Sequence, residues 1–347
     1  MIHGGDIYQN KVRMDFSVNS NPLGMPVPVK RALKRAVRHC GEYPDLRAGE
    51  LKEKLEVLTG ICREQILCGN GASELLLAIL HGIRPRKTAI PVPSFYGYEY
   101  AAAAVKSSML PIVLREEERF CLTSKVLQKL DDEVDLLLLA NPNNPTGAMI
   151  EANLLDNILE ECHKKGIIVV LDECFLEFTG KEDRHSMRKK LSDYPNLIIL
   201  RAFTKIFAIP GVRLGYLLCG DEELLQKIQP QLPEWNLSVF AQAAGAAACG
   251  ETAYIERTVR LVKKEREYLK DHLRVLGIDV FSSDANFLFL HTKLPLYEEL
   301  LKKGILIRDC GNFRGLTNNY YRIAVKNRGE NTRLLRAVEE IARESGQ

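Results

Sequence analysis

The residues best equipped for chemistry fall in short motifs, each of which follows an apolar run. Lys205 closes Arg201-Ala202-Phe203-Thr204-Lys205, directly after Leu197 to Leu200. A lysine amine held beside other cations and partly out of water has a lowered pKa, which suits Schiff-base formation and proton transfer. Arg213, in Pro210-Gly211-Val212-Arg213-Leu214-Gly215, carries a planar fork that can grip a phosphate through two parallel hydrogen bonds. A solvated surface lysine is the ordinary alternative, and the company of the other motifs argues against it.

Asp172 and Glu173 follow the run Ile167 to Leu171. An ionised aspartate facing a ring nitrogen keeps that nitrogen protonated and makes the ring an electron sink. Loop capping is the structural alternative; a Mg2+ carboxylate of a nucleotide hydrolase is another, but its GxxxxGK[ST] loop is missing from the sequence. In Asn141-Pro142-Asn143-Asn144-Pro145-Thr146-Gly147, two prolines restrict the backbone, so the Asn144 amide can be held against a ring hydroxyl or phenolate oxygen. Gly69-Asn70-Gly71-Ala72-Ser73-Glu74 combines a turn through which backbone amides approach an anion with the positive end of a helix. A capping turn at Ser73 accounts for that segment equally simply.

Such motifs need strands that deliver them to one edge. Apolar runs at Thr88 to Val92, Leu136 to Ala140, Ile167 to Leu171, Leu197 to Leu200 and Leu214 to Cys219 read as buried strands. Helical stretches such as Ser73 to His81 and Leu154 to Lys165 separate them, which is the grammar of an α/β fold with a mainly parallel sheet. Ligands bind at the carboxyl ends of strands in such sheets, where the motifs stand. Beyond the Ala-rich stretch Ala241 to Cys249, a helix over Thr252 to Leu276 leads to a second lobe. That lobe is expected to hold strands at Asn286 to His291, Ile305 to Arg308 and Tyr320 to Val325, and a closing helix from Asn331 to Arg343. The expected division is an irregular arm at 1–30, a large domain at 31–248 and a small C-terminal domain at 249–347.

Composition narrows the function classes. The 347 residues are 46% hydrophobic and 27% charged with a net charge of +3, which marks a globular chain with no basic stripe for nucleic acid. No apolar run approaches the ~20 residues that span a bilayer, and Met1 to Asn10 lacks the apolar core of a secretory signal. Nine scattered cysteines without a CxxC pair suggest neither a disulfide framework nor a zinc site, so a cytoplasmic setting is expected.

In this order and over essentially the whole chain, the motifs resemble those of the fold-type I, or aspartate aminotransferase, superfamily. That resemblance implies pyridoxal 5'-phosphate as cofactor, with a large α/β domain, a smaller C-terminal α+β domain and an N-terminal arm. It implies that Lys205 carries the cofactor as a Schiff base, that Asp172 partners the pyridine nitrogen and that Asn144 meets the ring oxygen. Ala72, Ser73, Thr204 and Arg213 would hold the phosphate, and Phe95 would stack on the ring. Tyr43, in Glu42-Tyr43-Pro44-Asp45, is similar to a tyrosine that reaches the cofactor phosphate of a neighbouring subunit, which implies a homodimer. Ala202 and Phe175 depart from the pattern, standing where relatives commonly carry polar groups toward the cofactor.

Arg322, in Tyr320-Tyr321-Arg322-Ile323, resembles the superfamily arginine that meets the substrate α-carboxylate. Arg308 resembles one that histidinol-phosphate aminotransferases and their relatives use on a substrate phosphate. Strand-end arginines without such roles are the alternative. The arm, with His3-Gly4-Gly5 and Asn19-Ser20-Asn21-Pro22, is similar to the threonine-phosphate decarboxylase family, which implies that His3 and Asn21 face substrate. The implied reaction removes CO2 from L-threonine O-3-phosphate in cobalamin biosynthesis, giving (R)-1-amino-2-propanol O-2-phosphate. Histidinol-phosphate transamination and phosphoserine decarboxylation remain alternatives. A non-enzymatic ligand-binding regulator is a third, although the arm is too short for a helix-turn-helix.

Overall fold

The computed structural model describes residues 4–345. A short strand of the arm, β1 (Met14–Asp15), precedes the main sheet of β2 (Ile66–Gly69), β3 (Lys87–Val92), β4 (Ser108–Val113), β5 (Leu136–Ala140), β6 (Ile168–Asp172), β7 (Leu197–Ala202) and β8 (Gly215–Cys219). The seven strands lie in the order β2-β8-β7-β6-β5-β3-β4. Only β8 runs antiparallel to its neighbours, so the expected mainly parallel α/β sheet is present. The helices Ala72–Ile83 and Val239–Ala248 pack on opposite faces, and this two-sided cover explains why β5 and the stretch Leu197 to Leu200 of β7 read as unbroken apolar runs.

The strand Ser108–Val113 escapes a reading based on buried runs because it is the sheet's edge, largely exposed and carrying Pro111. A helix begins at Val27, where Pro28 supplies a φ already suited to a first turn.

The helix Thr252–Val275 leads into the second lobe of β9 (Asp279–Val280), β10 (Phe287–His291), β11 (Ile305–Leu306), β12 (Arg308–Asp309) and β13 (Tyr320–Ala324). Its antiparallel sheet has the order β12-β13-β10-β9. The single strand expected from Ile305 to Arg308 is divided, because β11 pairs with β1 of the arm while β12 pairs with β13. Phe16 locks this arrangement. Its N–H donates to the Leu306 carbonyl at 2.7 Å, its carbonyl accepts from the Ala324 N–H at 2.8 Å, and its ring is buried in the second lobe's core. The arm is thereby stitched to that lobe and laid across the ends of the main strands.

Candidate active site

A cavity of about 630 Å3 opens between the carboxyl ends of the main strands, the arm and the second lobe. Ala72, Ser73, Phe95, Asn144, Asp172, Thr204, Lys205, Arg213, Arg308 and Arg322 all line it. Ten of the residues singled out in the sequence therefore converge, although they span Ala72 to Arg322 along the chain.

Lys205 follows β7 in a short helical turn, and burial pushes its amine down to about 8, with help from the charges of Arg322 and Arg213. Asp172 ends the adjacent β6. Its Oδ2 accepts from the Tyr98 hydroxyl at 2.7 Å and its Oδ1 from the Cys174 N–H at 2.9 Å, so the carboxylate is fixed in orientation. Behind this pair, buried Arg201 contacts Glu173 at 2.7 Å and Glu177 at 3.0 Å, tying the end of β7 to the loop after β6. The strands carrying Lys205 and Asp172 thus hold a common register.

The opposite side of the cavity is built for an anion. The helix Ala72–Ile83 starts at Gly71 with no side chain capping its first amides. Gly71 has φ +86°. A Cβ there would come within 2.5 Å of Arg213 Nη2, and one at Gly215 within 2.7 Å of the Ala72 nitrogen. The glycines therefore let a guanidinium and free amides close around one small space. Gly97 acts similarly for Phe95, whose ring would collide with a Cβ at 2.2 Å. A phosphate cradle, a lysine of lowered pKa, an oriented carboxylate and an aromatic wall suit a flat, phosphorylated heterocycle. Ala202 and Phe175 also line the cavity and present carbon to it, as their sequence positions suggested.

Toward the second lobe, Arg308 and Arg322 sit opposite one another on β12 and β13. Arg322 donates to the Ser17 carbonyl at 2.7 Å and to Asn144 Oδ1, while its Nε has no partner among the described residues. Arg308 donates to the Asp309 carbonyl at 2.5 Å and to Asn312 Oδ1 at 2.7 Å. Neither forms an ion pair among the described residues, and burial lowers both, Arg322 to about 10.

Two predicted positions, Asn21 and Tyr43, are not brought into the cavity. His3 lies outside the described residues. Asn21 is buried but directed elsewhere: its Nδ2 donates to the Ile206 carbonyl and to Thr258 Oγ1, each at 2.7 Å, and its Oδ1 accepts from the Leu23 N–H. The Asn21-Pro22 step carried a legible signal only for the local turn to Leu23, since Asn favours such side-chain turns. Asn19 lines the cavity instead, with a buried Oδ1 that has no partner among the described residues. Tyr43 is 82% exposed and lies against Trp235, the two rings tilted by 42° with centroids 5.0 Å apart. Sequence reasoning also missed Tyr98, whose role depends on the main sheet placing it beside Asp172.

Known proteins share this architecture. The threonine-phosphate decarboxylase of Salmonella typhimurium is 34% identical over 98% of this chain and 96% of its own length. An adenosylcobalamin biosynthesis bifunctional protein of Leptospira interrogans is 34% identical over 98% of this chain, which matches 41% of that longer protein. The crystal structure of the histidinol-phosphate aminotransferase from Clostridium acetobutylicum superposes with a TM-score of 0.90 at 33% identity, covering 95% of this chain and 99% of that one. The family model for aminotransferase class I and II matches residues 11–341, and the chain belongs to that family.

Proposed function

We propose that this protein is a pyridoxal 5'-phosphate-dependent decarboxylase of L-threonine O-3-phosphate acting in cobalamin biosynthesis. The observation that carries the proposal is the pair Arg308 and Arg322, buried side by side in the cavity that holds Lys205 without a carboxylate partner among the described residues. A substrate with two anionic groups satisfies both. The near full-length similarity to a threonine-phosphate decarboxylase supports that choice.

When bound, pyridoxal phosphate supplies an electron sink for bonds at the substrate Cα. In this chain, Ala72, Ser73, Thr204 and Arg213 would hold its phosphate, Phe95 would cover its ring, and Asn144 would meet the ring oxygen. Asp172, oriented by Tyr98, would keep the ring nitrogen protonated. Lys205 would anchor the cofactor and, once displaced by the substrate amine, deliver a proton to Cα. Its lowered pKa populates both forms near pH 8, the neutral amine that anchors the cofactor and the ammonium that delivers a proton. Arg322 would orient the substrate carboxyl group, and Arg308 would bind the substrate phosphate.

The arm (1–30), large domain (31–248) and small domain (249–347) act together, with the arm closing the substrate side. We also propose a cytoplasmic homodimer. The exposed Tyr43 and Trp235 offer an aromatic patch for a second copy, and all nine cysteines are free, as suits a reducing compartment. No helix among the described residues is long and apolar enough to cross a membrane.

Histidinol-phosphate transamination is the second reading, favoured by the Clostridium acetobutylicum structure. Purified holoenzyme incubated separately with phosphothreonine, phosphoserine, and histidinol phosphate plus 2-oxoglutarate decides between them. CO2 from phosphothreonine is expected. Glutamate formed in the third reaction, without CO2 from either phosphoamino acid, would overturn the assignment.

A further inference from the structure

One cation of the cavity has no part in the chemistry above. Lys326 follows β13 and lines the same cavity as Arg308 and Arg322. Its backbone is pinned on both sides by one buried residue: its N–H donates to Asn331 Oδ1 at 3.0 Å, and its carbonyl accepts from Asn331 Nδ2 at 2.8 Å. Asn331 also donates to Glu265 at 3.0 Å, and Glu265 is held in turn by Arg328. The preceding Val325 N–H donates to the Asn286 carbonyl at 2.8 Å, which carries strand-like pairing beyond Ala324. Lys326 therefore has a fixed base, and the two-residue period of an extended chain gives it the same parity as Arg322.

Its ammonium group is treated differently. It makes no hydrogen bond or ion pair among the described residues, whereas the cavity's two aspartates are already engaged. Asp172 accepts from Tyr98 and the Cys174 N–H, and Asp15 accepts from the Ser17 hydroxyl and N–H. A lysine on a rigid base, without a counter-ion among the described residues and at the wall of a cavity that holds two buried guanidiniums, has its counter-ion in the ligand. Lysine binds phosphate as a point charge. A phosphate monoester carries between about 1.5 and 2 negative charges at neutral pH, more than a single arginine neutralises.

We propose that Lys326 is a specificity-determining residue, whose ammonium supplies a further positive charge to the doubly ionised phosphate of the substrate. This role rests on the reading of the site as one for a phosphorylated amino acid. It favours phosphate monoesters over substrates with a neutral or singly charged group at that position.

The test compares wild-type holoenzyme with Lys326→Met and Lys326→Arg, using steady-state kinetics on phosphothreonine and competitive inhibition by inorganic phosphate. An unchanged spectrum of the bound cofactor establishes that each variant retains its site. Lys326→Met is expected to raise both KM and the phosphate inhibition constant about tenfold, with kcat within about twofold, and Lys326→Arg to restore most of the difference. Equal inhibition of wild type and Lys326→Met by phosphate overturns the role of Lys326 while leaving the reaction assignment intact. If wild type acts on histidinol phosphate instead, the reaction assignment fails, and the same comparison on that substrate and on phosphate still decides Lys326. A wild type that phosphate does not inhibit, with the same KM in Lys326→Met, overturns the role of Lys326 alone.

Discussion

Arg308 and Arg322 occupy directly opposed positions on neighbouring antiparallel strands, so two guanidiniums project into one cavity from a single cross-strand pair. Like charges opposite one another are destabilising, and burial adds to the cost. The neighbouring Arg308 indeed helps to lower Arg322. The fold tolerates this because the second lobe's sheet is braced by its own core and by Phe16 of the arm. An anionic ligand relieves the strain, so the pair stores a preference for substrate.

Replacing either arginine separates their roles. Arg308→Ala is expected to raise KM for the phosphorylated substrate by about 10^2-fold while affecting kcat less, since a charge-assisted contact contributes roughly 1.5–3 kcal/mol. Arg322→Ala is expected to lower kcat as well, because in the proposed reaction it would orient the bond that breaks. Steady-state kinetics on phosphothreonine measures both, and a mild effect at both positions would remove the basis of the substrate assignment.

The amine of Lys205 is pushed down to about 8, so apoenzyme should capture pyridoxal phosphate faster as pH rises through that value, then level off. Protonated amine is not nucleophilic, which fixes the sign. Stopped-flow absorbance of apoenzyme mixed with cofactor measures the profile. Lys205→Ala should abolish the covalent absorbance band and lower turnover by at least about 10^3-fold. A rate independent of pH between 6 and 9 would contradict the lowered value.

Tyr98 should act through Asp172. Losing its hydroxyl in Tyr98→Phe removes one donor from the carboxylate, and kcat should fall by about tenfold with KM little changed. Asp172→Asn, which removes the charge itself, should cost far more, and comparable losses from the two would show that Tyr98 does more than orient its neighbour.

The buried Arg201 cluster makes a stability prediction. Arg201→Met strands Glu173 and Glu177 without their cation, and a loss of about 3–5 kcal/mol is expected in denaturant unfolding. Burial holds Glu177 above its usual 4.5 against the pull of Arg201. The folded state then binds more protons than the unfolded state above pH 4.5, so Glu177's contribution to stability falls as pH rises from there. Glu177→Gln should flatten that part of the profile, and an unchanged slope would place the protonation elsewhere.

Tyr43 predicts the assembly. Sedimentation at micromolar concentration should give a dimer, and Tyr43→Ala should weaken cofactor retention in that dimer. A monomer with full cofactor occupancy would exclude a shared site.

The sequence by itself determined the sheet and the cofactor side of the site. Buried strands such as Leu136–Ala140 and the stretch Leu197 to Leu200 are continuous apolar runs, and Asn144, Asp172 and Lys205 stand at the ends of their strands or within a few residues beyond, so local order is enough to place them. The substrate side depended on tertiary structure. Asn19 and Asn21 are two residues apart with the same side-chain chemistry, yet only the packing of the arm against Ile206 and Thr258 commits Asn21 to the scaffold and leaves Asn19 in the cavity. The same limit applies to Tyr98 and Lys326, and to the splitting of Ile305 to Arg308 between two partners. Each depends on contacts between segments far apart in the chain, whose geometry no local spacing encodes.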